Sequence, residues 1–374
     1  MTRGLRIILD YRPALRERTG VGEYVHELAR ALAAVAAGSG DTVTAFSSSW
    51  KDRLDHSDLP GVRAVDARVP VGVLNFAWHR LEWPPIERFA GPADIAHSAH
   101  PLLMPSRAAA QVVTIHDLDF LEHPERTSRE IRRDYPVLAR AHARRADLVV
   151  VSSRHTAAQV AGTLGVPDDR IALCPAGAPS WEARTEPPTP GYFLFVGTLE
   201  PRKNIGRLLD AYERLLALRP DAPPLRLAGR VQEESGEWLA RLRRAPLQGR
   251  VTHLGYVASS AKRELYAGAI ALLVPSLYEG FGLTALEAMT VGVPVIASNR
   301  GSLPELLGGA ALYIDAEDDA SIARAMETAW TDASLARRLA AAGRARSAGF
   351  SWTASASTLL QAYRAALARR RGRS

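Results

Sequence analysis

Residues 274–299 read VPSLYEGFGLTALEAMTVGVPVIASN. Apolar runs at both ends predict two buried strands, with a glycine-broken loop and a helix starting near Leu283 between them. Gly280 and Gly282 allow the backbone to turn tightly and to come close to a ligand. The first N–H groups of the helix point at that loop, and such a helix start is a ready site for phosphate oxygens. Glu279 in the loop and Glu287 in the helix stand with seven residues between them. A carboxylate is the side chain that grips a pair of sugar hydroxyls. Phosphate donors beside such acids imply a nucleotide or a nucleotide-sugar as ligand.

Outward from this block the chain alternates strands and helices, which argues for parallel sheets covered on both faces. Strands are expected at residues 5–9, 42–46, 62–66, 94–97, 112–115 and 148–151. A helix is expected at 22–36 and another at 129–146, N-capped by Thr127 or Ser128 and kinked or broken at Pro136. Residues 175–190, PAGAPSWEARTEPPTP, read as a linker. A second series then follows, with strands at 192–196, 225–228, 251–254, 269–274, 295–298 and 311–314, and helical runs at 204–218 and 320–342. A last helix at about 353–370 carries an apolar stripe, Leu359, Leu360, Tyr363 and Leu367, that needs a surface. The fold class is therefore α/β, with two Rossmann-like domains in series: 1–186, with 351–374 packing back on it, and 187–350.

Composition narrows the function. The chain has 374 residues, enough for two domains, with 47% apolar and 23% charged residues as in an ordinary globular protein. One cysteine, Cys174, excludes a disulfide framework and a cysteine-based metal cluster. No apolar run reaches the roughly 20 residues of a membrane helix. The N-terminal run is a first strand and not a signal peptide, so a cytoplasmic protein is expected. The net charge is +7, with Arg364, Arg369, Arg370, Arg371 and Arg373 crowded at the end. These arginines read as a solvated helix end favoured by the helix dipole, or else as contact with the anionic inner face of a membrane. Nucleic acid is not expected, because no binding module accompanies the charge. Lysine occurs only at 51, 203 and 262. In so arginine-rich a chain a lysine suggests that a compact point charge is wanted, which singles out Lys203.

Three further segments lie at strand ends, where ligands bind in open parallel sheets. In FVGTLEPRKNIGRLLD, residues 195–210, Arg202 and Lys203 stand where a diphosphate could sit. In RTGVGEYVHEL, residues 18–28, Gly20 and Gly22 open a helix, but Val25 replaces the third glycine of a dinucleotide fingerprint. In TIHDLDF, residues 114–120, His116 is a candidate for ligand contact or proton traffic. Asp117 and Asp119 there form an Asp-x-Asp pair. It reads as a loop or helix cap in preference to a metal site.

Together GTLEPRKN, PSLYEGFGLTALEAM and GVPVIAS resemble the retaining glycosyltransferases of family 4, which have the GT-B fold. The likeness extends to RTGVGEYVHEL, TIHDL and VVVSSRHTA, and so spans nearly the whole chain. It implies two Rossmann-like domains facing across a cleft. The N-terminal one would serve the acceptor and the C-terminal one the nucleotide-sugar donor. It also implies roles: Arg202 and Lys203 on the donor diphosphate, Glu279 on the transferred sugar, and Glu287 on the nucleotide ribose. The backbone of Gly282, Leu283 and Thr284 would hold phosphate, Gly20 would approach the diphosphate, and His116 would lie near the sugar. One departure stands out: relatives often have a basic residue where this chain has Thr198.

The expected activity is transfer of a hexose from a UDP- or GDP-sugar to a hydroxyl of a glycan, glycolipid or natural product. Anomeric configuration would be retained and no metal required. TGVGEYVHEL and HDLDFLEHPE look most like mannosyltransferases of that family. The rivals are a sugar phosphorylase or epimerase on the same architecture, and a non-catalytic nucleotide-sugar-binding subunit. Phe76, Trp78 and Trp83 stand ready to stack on a sugar, face a lipid or pack under a loop.

Overall fold

A computed structural model describes residues 4–55, 57–124, 129–232 and 235–372. The chain forms two compact units, Met1–Gly177 with Ser351–Ser374, and Ala178–Phe350. The division falls inside the proline-rich 175–190 segment, and residues 178–186 belong to the second unit rather than the first. Arg184 shows why. Its backbone N–H donates to the Val291 carbonyl at 2.9 Å, and its guanidinium donates to the carbonyls of Ala267 and Ala269.

The first unit is built on β1 (Arg6–Asp10), β2 (Thr42–Ser47), β3 (Val62–Asp66), β4 (Ile95–Ser98), β5 (Ala110–Ile115), β6 (Leu148–Val151) and β7 (Ile171–Leu173). They form a seven-stranded parallel sheet in the order β3-β2-β1-β4-β5-β6-β7. The short, half-buried β7 was not expected from the sequence. Its three residues, IAL, are too few to show a period.

The second unit carries β8 (Tyr192–Val196), β9 (Leu225–Ala228), β10 (Val251–Gly255), β11 (Ala269–Val274), β12 (Val295–Ser298) and β13 (Ala311–Ile314). They pair in parallel in the order β10-β9-β8-β11-β12-β13. β11 shows why a continuous apolar run makes a central strand. Leu272 is in register with Leu194 on one side and Val295 on the other, and helices cover both faces. One face packs Phe193, Phe195 and Leu227 against the helices Ile205–Leu218 and Asp319–Thr331. The other packs Leu194 and Leu272 against Leu286 and Met289 of the helix Leu283–Val291. Burying each such side chain is worth about 1.5–3 kcal/mol relative to leaving it exposed.

One helical expectation needs correction, and of the kink or break expected at Pro136 the break does not occur. The run at 320–342 is two helices, Asp319–Thr331 and Ala333–Ser347. Asp332 lies between them and accepts from the N–H groups of Ser334 and Leu335, so it caps the second. The helix Arg129–Arg145 does not end at Pro136. Proline removes one N–H and one ladder bond, and here that loss does not stop the helix. Its expected N-cap, Thr127 or Ser128, lies outside the described residues.

The last helix, Trp352–Arg371, belongs to the first unit and buries Leu359, Leu360, Tyr363 and Leu367. Tyr363 Oη meets His97 Nδ1 at 2.5 Å. Arg364 pairs with Asp41, and Arg370 with Asp147 at 2.8 Å. Two of the C-terminal arginines are thus structural ion pairs, in addition to their favourable place at a helix end. Arg373 lies outside the described residues. No described helix is long and apolar enough to cross a membrane.

Candidate active site

In each sheet the strand order reverses at one point, between β1 and β4 in the first and between β8 and β11 in the second. Such switch points open a crevice beyond the carboxyl ends of the strands. The loop after β8 carries Arg202 and Lys203, and the loop after β11 carries Glu279. They meet at that crevice.

Lys203 Nζ donates to Glu279 Oε1 at 2.6 Å, and Ser276 Oγ donates to the same oxygen at 2.7 Å. Arg202 Nη1 stands 3.7 Å from Glu279 Oε2, while its Nε is 2.7 Å from Glu200 Oε1. The two loops are also tied through their backbones, Leu277 N–H donating to the Arg202 carbonyl at 2.8 Å. Asn204 has a left-handed φ of 61° and donates to the carbonyls of Pro275 and Ala316. That turn aims Lys203 inward before the helix Ile205–Leu218 begins. Burial pushes the Glu279 carboxyl up, but Lys203 and Arg202 outweigh it and hold its pKa below the usual value.

Below Glu279 the chain passes very close. Ser302 donates to the Glu279 carbonyl from both its N–H and its Oγ, each at 3.0 Å. Gly301, with φ +59°, leaves no room for a side chain there. Gly282 has φ +101° and caps the helix Leu283–Val291, and no side chain fills that cap. Gly280, by contrast, has no positive φ among the described glycines, so the tight turn belongs to Gly282. The N–H groups of Leu283 and Thr284 open the helix without intrahelical partners, as anion binding requires.

Glu287 is buried apart from Glu279. Lys262 Nζ donates to its Oε1 at 2.9 Å, and Tyr266 Oη to its Oε2 at 2.7 Å. Thr198 is half-buried in the loop after β8.

The first unit holds the other candidates. Gly20 is the first residue of the helix Gly20–Ala36, and a Cβ there would meet only open space. Gly22, in contrast, packs on the Pro13 carbonyl. His116 is half-buried, its Nε2 lies 3.2 Å from the Ala99 carbonyl, and its ring meets the edge of Tyr24. Burial lowers its pKa against the opposing pull of Asp117. Asp117 Oδ1 accepts from the Asp119 N–H at 3.2 Å and so serves as a local turn cap. Among the described residues no group of three His, Cys, Asp or Glu is placed to hold a metal ion.

Comparison with known proteins bears on both units. The profile of glycosyl transferases group 1 matches residues 180–346, and that of glycosyltransferase family 4 matches residues 18–182. O-antigen chain mannosyltransferase B of Escherichia coli is 30% identical over 384 residues, covering 96% of this chain and 100% of that protein. The chain belongs to the GT-B glycosyltransferases of family 4. A glycogen synthase of Mycobacterium tuberculosis is also 30% identical, over 93% of this chain and 91% of its own. Sucrose-phosphate synthase from Thermosynechococcus elongatus superposes with a TM-score of 0.78 at 23% identity, covering 98% of this chain and 100% of its own. Anabaena HepE, solved in complex with UDP and glucose, does so with a TM-score of 0.68 at 19% identity, covering 96% and 98%. These structures share the fold.

Sequence reasoning about this glycosyltransferase missed Glu200, Ser276, Gly301, Ser302, Lys262 and Tyr266. Lysine scarcity was a usable signal for Lys262. Two of the three lysines, Lys203 and Lys262, pair with the two glutamates of the 274–299 block. For Gly301 no signal existed, because its contact with Glu279 is tertiary.

Proposed function

We infer that this glycosyltransferase moves a hexose, mannose foremost, from a nucleoside-diphosphate sugar to a hydroxyl acceptor with retention of configuration. The observation that carries this is the Lys203–Glu279–Arg202 cluster at the β8/β11 switch point, next to the open helix start at Leu283. Relatives named as mannosyltransferases support the sugar, and the UDP complexes of a fold neighbour support a nucleotide donor.

Lys203, Arg202 and the N–H groups of Leu283 and Thr284 stabilise charge on the departing diphosphate. The bond from anomeric carbon to phosphate oxygen breaks, the acceptor oxygen attacks from the same face, and its proton passes to the diphosphate. Both cations are already matched by Glu200 and Glu279, so donor binding requires them to share or exchange partners. Glu279 contacts the transferred sugar, and Glu287 the ribose. In the first unit Gly20 lets the diphosphate approach closely and His116 lies by the sugar. Because charge comes from side chains and amides, turnover is expected without a divalent metal.

A phosphorylase reading needs a lysine for pyridoxal phosphate. Lys203 and Lys262 are engaged with glutamates, and Lys51 is exposed. The acceptor is a glycan, glycolipid or natural product. The glycolipid at the inner membrane face is favoured by one feature. Val73, Phe76, Leu81 and Trp83 are each about 60% exposed along one short stretch, with Arg80 among them, whereas Trp78 is buried. Several large apolar side chains left in water along one stretch support an interaction surface there.

The test supplies the purified chain with UDP-, GDP-, ADP- and dTDP-sugars and an acceptor, with and without EDTA. Released nucleoside diphosphate and the product's anomeric configuration are read out. No release with any pair leaves the non-catalytic subunit; an inverted product sinks the retaining mechanism.

A further inference from the structure

Glu287 stands one turn into the helix Leu283–Val291, and both its oxygens are gripped from the neighbouring helix Ser259–Ala267. Lys262 and Tyr266 are spaced i and i+4, so they share a helix face and reach one carboxylate together. Glu287 is 3% exposed, Lys262 8% and Tyr266 0%. Trp181 lies against the Tyr266 ring, with centroids 6.0 Å apart. Burial and the adjacent Glu287 raise the Tyr266 pKa well above its ordinary value, which keeps its hydroxyl a donor.

A buried ion pair is a poor source of stability, because desolvation offsets much of the attraction. Leu265, Leu286 and Met289 line the same core, where an apolar pair would pack as well. The arrangement therefore calls for another reason. A carboxylate offers about four acceptor sites. Lys262 and Tyr266 take one on each oxygen, fix the plane of the group, and leave one on each. A vicinal diol needs that pattern.

We propose that Lys262 and Tyr266 are positioning residues for the donor nucleotide: they set the plane of Glu287 so that its remaining acceptor sites take the ribose 2′ and 3′ hydroxyls. This rests on Glu287 being the ribose ligand. Neither residue touches the reacting atoms, so their loss acts on nucleotide recognition.

The experiment measures binding of UDP and GDP, and of their 2′-deoxy forms, to the full chain by calorimetry. Wild type is compared with Glu287→Gln, Lys262→Met and Tyr266→Phe. Wild type is expected to favour the ribose form of its preferred nucleotide about tenfold, the value of one hydrogen bond to a charged group. Glu287→Gln abolishes that preference. Lys262→Met and Tyr266→Phe reduce it to about twofold by weakening the ribose form alone. If Lys262→Met does not fold, Tyr266→Phe decides, since it removes a single oxygen. Full preference in these two variants, with loss in Glu287→Gln, overturns the proposal and leaves the ribose role of Glu287 standing. Equal weakening of ribose and deoxyribose forms also overturns it, since that marks a structural role. A preference that survives Glu287→Gln removes the ribose role itself.

Discussion

Lys203 Nζ lies 2.6 Å from Glu279 Oε1, joining the loops after β8 and β11 across 76 positions of sequence. This is a charge-assisted contact in a nearly buried site, with side-chain exposures of 13% and 8%. Among the described residues, Lys203→Met leaves the Glu279 carboxylate with Arg202 and Ser276. Turnover should fall on the order of 10²-fold or more, as when one preorganised donor is lost. Near-normal turnover in a folded variant would falsify the role given to Lys203.

The same pair makes a pH prediction. The Glu279 pKa is depressed in the folded protein, so its pairing stabilises above the unfolded value near 4.5 and is lost as pH falls below that. The stability gap between wild type and Lys203→Met should therefore be wide at pH 7 and shrink toward pH 4. Urea midpoints at both pH values check this; a gap constant with pH would show that the ion pair is not its source.

Gly301 and Gly20 should behave oppositely. A Cβ at Gly301 would come within 2.4 Å of the Glu279 carbonyl, and its φ of +59° is already unfavourable for alanine. Gly301→Ala should cost about 2 kcal/mol or more and displace Glu279, lowering both the melting temperature and turnover. Gly20→Ala meets open space and should change stability by less than about 0.5 kcal/mol. If the donor diphosphate approaches Gly20, that variant still loses turnover. Normal kinetics in Gly20→Ala would take Gly20 out of the donor site.

These contrasts mark how far the sequence could be read. The strands of both sheets were legible because parallel, doubly covered strands are continuous apolar runs. β11, AIALLV, and β6, LVVV, admit little else. The site loops were legible because glycine, arginine and lysine at strand ends have few structural uses. Asp332 hid a helix boundary, because an alanine-rich run on either side preserves helical spacing. Lysine scarcity could flag Lys262 but not its pairing with Glu287: the partner lies in another helix, and spacing within one helix carries no trace of it. Trp78 and Phe76 looked alike in sequence, yet one is buried and the other exposed. Only packing separates them.

The apolar stretch Val73–Trp83 gives a prediction on location. Its exposed side chains, Val73, Phe76, Leu81 and Trp83, contribute little to the fold, so charged replacements of them should leave stability nearly unchanged. Phe76→Asp with Trp83→Asp should abolish co-sedimentation with vesicles containing anionic lipid, while turnover on a water-soluble acceptor persists. Wild type that fails to sediment with such vesicles at low salt would remove the membrane from the account.

Acid should weaken the first unit as buried histidines come under pressure to take up protons. Burial lowers the pKa of His97 to about 3, and those of His26, His79 and His142 to about 4, and it also lowers that of His116. All five belong to the first unit. His97 is held between Tyr363 Oη and Thr114 Oγ1, so protonation there would charge a fully buried ring and disturb the seat of the last helix. In the unfolded chain these groups take up protons near 6.5, while in the fold His97 does so only near 3 and His26, His79 and His142 only near 4, with His116 shifted in the same direction. Between those values the unfolded state binds more protons, so stability is whole above about pH 6.5 and falls as pH is lowered through this window. Each group contributes at most about 1.4 kcal/mol per pH unit. Hydrogen exchange followed by peptide should show faster global opening in residues 4–177 at pH 5 than at pH 7, after correction for intrinsic rates. His79→Phe should flatten that dependence, since His79 Nε2 is buried and has no hydrogen-bond partner among the described residues. A first unit equally stable at pH 7 and pH 5 would mean that these histidines are protonated in the fold, and the burial argument would be wrong.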